Sequence, residues 1–120
     1  MTIAVRGAVQ VESNAPHPIK GAVVKLIEEI AERNGISEAD IVSIIFSLTR
    51  DLTALNPATA LRETGFSRVP LFCTQEPDYS GSMPRVIRVL VTVNGETGQK
   101  PVPVYLGGAE KLRADLFEKE

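Results

Sequence analysis

The sequence predicts an α+β domain, a mixed β-sheet covered on one face by two helices. Three observations predict it. Aliphatic and β-branched stretches recur at residues 3–12, 41–49, 68–76, 85–93 and 102–106. Two segments, 18–34 and 56–65, carry helical periodicity or helix punctuation. Their order, β-α-β-α-β-β-β, is neither a regular β-α repeat nor an all-β run.

Each element has a local reason. "IAVRGAVQVE" (3–12) alternates as a strand does. The breaker-rich "SNAPHP" then leads into the first helix, in which Ile19, Val23, Leu26, Ile27 and Ile30 form one stripe and "NG" at 34–35 is the stop. "SEAD" is a polar connection to "IVSIIFSLT" (41–49), a strand with Val42, Ile44, Phe46 and Leu48 on one face. "NPATALRETG" (56–65) is a short helix with Asn56 as N-cap, Pro57 in the first turn and Gly65 at the end. "RVPLFCTQE" (68–76) is extended, "PDYSGSMP" is a loop and "RVIRVLVTV" (85–93) is a strand. "NGETGQ" is a turn before the short strand "VPVYL" (102–106). "GGAEKLRADLFEKE" (107–120) is a glycine-hinged, weakly helical tail expected to be mobile.

Composition narrows the function classes. With 120 residues, the chain suits one domain around one core, with no linker or internal repeat. A net charge of −2 argues against a nucleic-acid or anionic-membrane partner, which would need a basic face. One cysteine excludes an internal disulfide and fits a reducing compartment. No apolar run approaches the roughly 18 residues of a membrane span, and the start lacks the layout of a signal peptide. The expectation is a cytoplasmic protein.

Side-chain parity carries the functional information. Val5, Val9 and Val11 share one face of the first strand, with Arg6 opposite. Val69, Leu71 and Cys73 share a face, with Phe72, Thr74 and Glu76 opposite. Ile87, Val89, Val91 and Val93 share a face, with Val86, Arg88, Leu90 and Thr92 opposite. Val102, Val104 and Leu106 share a face, with Tyr105 opposite. Every strand therefore has an aliphatic face for the helices. Each also has a second, half-apolar face that nothing in one chain is expected to cover, so another copy of the chain is the expected cover.

Taken singly, Arg88 and Arg6 read as strand arginines on a solvated face, Tyr105 as a core-edge tyrosine and Glu76 as a solvated loop acid. Their shared face makes them a set. Two arginines, a phenol and a carboxylate suit a small, multiply anionic, hydroxylated ligand. Other chemistry lacks its parts. His17 is the only histidine and lies between prolines, which leaves neither a zinc cluster nor a histidine-activated nucleophile. Cys73 reads as a small buried hydrophobe. "GETGQK" lacks the spacing of a phosphate-binding loop, and "YSGS" lacks the first glycine of a nucleophile elbow. Any chemistry here depends on binding and electrostatics.

"VRGAVQVE", "TRDL", "NPATALRE", "VPLFCTQE", "RVIRVLVTV" and "VYLGGAEKLRADL" resemble, in order and spacing, the small monofunctional chorismate mutases of the trimeric α+β class. The resemblance runs over residues 4–116. It implies a ferredoxin-type subunit whose homotrimer forms a pseudo-α/β barrel, with active sites between subunits. It implies the one-step Claisen rearrangement of chorismate to prephenate in phenylalanine and tyrosine biosynthesis, with no cofactor and no metal. Position by position, Arg88 matches the arginine beside the breaking ether oxygen. Arg6 and Tyr105 match groups that hold a substrate carboxylate, and Glu76 matches the acid that accepts the ring hydroxyl. Phe72, Cys73, Thr74 and Gln75 match the adjoining wall, and Arg62, Leu112 and Arg113 match the mouth and the C-terminal cover.

The sequence departs from the resemblance at Asn56, where an aromatic is common, at Thr59, where a lysine occurs, and at Phe72, where a small polar residue occurs. Ala114 stands in place of a common proline. A different reading is an imine-deaminase-like trimer or a non-catalytic small-carboxylate binding protein. Glu76 with Tyr105 and two strand arginines separates the readings, because a ligand with one carboxylate would not require them all.

Overall fold

A computed structural model describes residues 1–116; residues 117–120, the end of the predicted tail, lie outside the described residues. Among the described residues the strands are β1 (Thr2–Gln10), β2 (Ile41–Leu48), β3 (Leu71–Gln75), β4 (Val86–Asn94) and β5 (Val104–Leu106), and the helices are α1 (Pro16–Asn34) and α2 (Pro57–Arg62). The predicted α+β class and element order hold. The strands form one mixed sheet in the order β3-β2-β4-β1-β5. β4 runs antiparallel to both β1 and β2, while β1–β5 and β2–β3 are parallel. β4, which carries Arg88, is thus the central strand.

The aliphatic faces make the core. Val5, Val9, Ile44, Phe46, Ile87, Val89, Val91, Val93 and Val104 bury against Ile19, Val23, Leu26, Ile27 and Ile30 of α1 and against Ala58, Ala60 and Leu61 of α2. Helix α1 begins two residues before its predicted start, because Pro16 and Pro18 sit in a first turn that needs no donor from them. It ends as predicted: Gly35 adopts φ 61°, and the Gly35 and Ile36 N–H groups bond Glu32 O and Ala31 O. Asn56 caps α2 by accepting from the Ala58 N–H at 2.8 Å. Gly7 has a packing reason, since a Cβ there would lie 2.9 Å from Ile30 Cδ1 and 3.0 Å from Val104 O.

Three expectations are corrected. Val42 is exposed, because a register shift between Ile41 and Ser43 turns it outward and brings Ile41 against the core. Val102 is also exposed. Pro101 and Pro103 offer no N–H groups, pairing on β1 starts only at Val104, and Asn34 satisfies the Val102 N–H and C=O instead. The second sheet face is not wholly without cover from its own chain. A 3-10 segment, Ala109–Leu116, lies over one end of it, and Ala8, Tyr105 and Ala109 form a small buried cluster with Leu112 packed against them. The weakly helical segment is realised as 3-10 turns, broken at Arg113.

Candidate active site

The register aligns the second face into rows. Tyr105, Ala8, Arg88, Ser47 and Thr74 are successive neighbours across all five strands. The next row holds Arg6, Leu90, Ile45 and Phe72. The first row is mostly polar. The second exposes its apolar members, with Leu90 and Ile45 42% accessible and Phe72 66%.

Arg88 is held from the β2–β3 side of β4. Its Nε lies 3.0 Å from Glu76 Oε1, with the side chains only 35% and 19% exposed. That contact is an ion pair without hydrogen-bond alignment, and Nε is buried with no hydrogen bond among the described residues. The other Glu76 oxygen, Oε2, accepts a short hydrogen bond from the Ser47 hydroxyl. The Glu76 backbone N–H bonds Leu48 O at 2.9 Å, fixing the residue just past the end of β3. Ser47, Thr74, Gln75, Glu76 and Arg88 share the wall of an open depression of about 370 Å³ with Ile45 and Leu90.

The stretch "TRDL" anchors this site. The Thr49 hydroxyl accepts from the Val86 N–H at 3.0 Å and donates to Asp51 Oδ1 at 2.5 Å. Asp51 in turn accepts the Arg85 N–H at 3.0 and 3.2 Å, where Arg85 adopts φ 52°. Arg85 Nε donates to Val11 O at 2.8 Å. The end of β2, the start of β4 and the end of β1 are thereby tied together three residues before Arg88.

The predicted residues divide between places. Arg88, Glu76, Thr74 and Gln75 come together, and Phe72 lies on the neighbouring row. Cys73 faces the core side, as its parity requires, and burial raises its thiol pKa. Tyr105 is 8% exposed, under the 3-10 segment. Arg6 is exposed and shares a different depression with Ala4, Pro101, Pro103 and Leu116. Arg113 binds Asp115 in two-pronged fashion at 2.8 and 3.0 Å, and that hydrogen bonding holds the Asp115 carboxyl below the usual range. Arg62 ends α2 on the helix side, away from Arg88 in the same chain. His17 is exposed in the first turn of α1. Ser47 was absent from the predicted set. Its parity, opposite Ile44 and Phe46, was the signal that could have found it.

Among the described residues no group of three His, Cys, Asp or Glu side chains is placed to hold a metal. Among the described residues no helix is long and apolar enough to cross a membrane. Fold and site define a class: a small α+β protein with an arginine–carboxylate site on a half-open sheet face. The model of the family "Chorismate mutase type I" matches residues 2–116. The chain is 44% identical to the chorismate mutase AroH of Thermus thermophilus over 118 residues, 97% of each chain. It is 39% identical to AroH of Bacillus subtilis (strain 168) over 114 residues, 93% of this chain and 90% of that one. A chorismate mutase structure from Clostridium thermocellum superposes with a TM-score of 0.86 at 42% identity, covering 91% of this chain and 98% of that one. The chain belongs to the type I chorismate mutases, isomerases that convert chorismate to prephenate.

Proposed function

We propose that Arg88 stabilises the transition state of the chorismate rearrangement and that Glu76 accepts the ring hydroxyl. The observation that carries this is Arg88 fixed within the central strand, beside Glu76, at the wall of an open depression. Negative charge grows on the ether oxygen as its bond to carbon breaks, so a cation already in position lowers the barrier without reorganising. Thr74 and Gln75 complete the wall, with Phe72 on the adjoining row and Cys73 contributing through its backbone. Arg6 and Tyr105 hold a carboxylate, and Arg62, Leu112 and Arg113 form the mouth and a mobile cover within the single domain.

Among the described residues Arg88 and Glu76 are the only charged ones lining the depression, and they neutralise one another. A substrate with two carboxylates needs further cations. A second copy of the chain, seated on the exposed Leu90–Ile45–Phe72 row, would bring arginines of its own and bury that row. We therefore read the assembly as a homotrimer with sites between subunits, working in the cytoplasm. Two measurements test this. The pure protein should abolish the ultraviolet absorbance of chorismate with prephenate as product, and at micromolar concentration it should sediment at about three times its 13.0 kDa chain mass. A monomer that turns over chorismate at full rate would overturn the shared site. A trimer without turnover would favour the small-carboxylate binding reading.

A further inference from the structure

We propose that Ser47 is a positioning residue for this reaction: its hydroxyl locks the Glu76 carboxylate in the one orientation that serves both substrate and Arg88. The inference rests on the proposed roles of Glu76 and Arg88 and goes beyond them. Ser47 is the direct cross-strand neighbour of Arg88 on β4 and of Thr74 on β3. Its hydroxyl donates to Glu76 Oε2, while Glu76 Oε1 faces Arg88 Nε. The two oxygens are thus divided between two partners. Without the hydroxyl, the carboxylate is free to rotate about its last torsion, which is broad and weakly restrained. Arg88 Nε, buried and already without an aligned hydrogen bond, would then lose its fixed counter-charge, and the guanidinium would lose its fixed position. A serine is small enough to sit under the site near the end of β2 without filling it.

The test compares two variants of equal shape. Ser47→Thr keeps the hydroxyl, and Ser47→Val has the same branching without it; both are good strand residues. Ser47→Thr should stay within about threefold of the parental kcat/KM. Ser47→Val should fall about ten- to hundredfold, the range for a lost hydrogen bond to a charged group, with kcat carrying most of the fall. The hydroxyl effect should vanish in a Glu76→Ala background, leaving the Thr and Val variants within about twofold of one another. Equal activity of the two variants in the parental background would overturn the inference, as would a difference that survives the removal of Glu76. Either failure leaves the role of Arg88 to be judged on its own substitutions. Loss of the Arg88 assignment would instead show as an active Arg88→Ala enzyme.

Discussion

The two faces of one sheet have opposite designs. On the helix side, β4 contributes Ile87, Val89, Val91 and Val93, all buried and all aliphatic. On the other side the same strand contributes a buried Val86 at its start and then Arg88, Leu90 and Thr92, none of them fully buried. A period of two places both sets on nine residues. The closed face stabilises by removing apolar area from water. The open face retains groups that cost stability when left alone: a guanidinium with a buried nitrogen, and exposed leucine, isoleucine and phenylalanine side chains. The difference teaches where function lies. The closed face supplies rigidity, and the open face uses that rigidity to hold a charge in place.

The comparison predicts that substitutions on the two faces fail in different measurements. Phe46→Ala, on the closed face, should lower the unfolding free energy by about 3–5 kcal/mol in urea denaturation, the cost of a large core cavity. The fraction still folded should keep a near-parental kcat. Phe72→Ser, on the open face, should weaken self-association by about 1.5–3 kcal/mol, from one phenylalanine returned to water, read by sedimentation across a dilution series. Undiminished association would show that the exposed row is not a contact surface.

The smallest effect concerns Cys73, which borders the closed side. Its raised pKa means that the folded chain holds the thiol proton to higher pH than the unfolded chain does. The associated stability is therefore present below the ordinary thiol pKa and is lost as pH rises through the raised value. Iodoacetamide near pH 8 should alkylate the native protein several-fold more slowly than the urea-unfolded chain. Equal rates would place the thiol on the open face.

The closed face was the more legible of the two. Parity marks its strands, helical spacing marks the α1 stripe and residue type marks the Gly35 and Asn56 caps, because burial, period and capping each leave a mark in sequence. Parity failed where the backbone left its period: at the bulge beside Val42, and at Val102 between two prolines. The open face was legible only as a set of like-facing polar residues. Which of them meet depends on strand order, and nothing local says that β4 lies between β1 and β2. Hence Arg88 and Glu76 come together while Arg6 lines another depression. Ser47 looked like one more strand serine, since its partner is 29 residues away in the chain. Periodicity gives no sign of the cover over Tyr105, because sparse apolar residues follow two glycines; only the resemblance implies a C-terminal cover at Leu112 and Arg113, and Ala109 and Leu112 close it.

On this reading Arg88 serves the reaction and the opposite face serves the fold. The most direct test is Arg88→Ala, assayed for turnover and for urea unfolding on the same preparation. A fall in kcat of about 10²–10³, or roughly 3–4 kcal/mol, is expected, the loss of one preorganised donor at a developing charge. The unfolding free energy should change by no more than about 1 kcal/mol, as expected for a partly exposed ion pair. A kcat within about tenfold of the parent, less than roughly 1.4 kcal/mol, would make Arg88 a structural arginine and contradict the account.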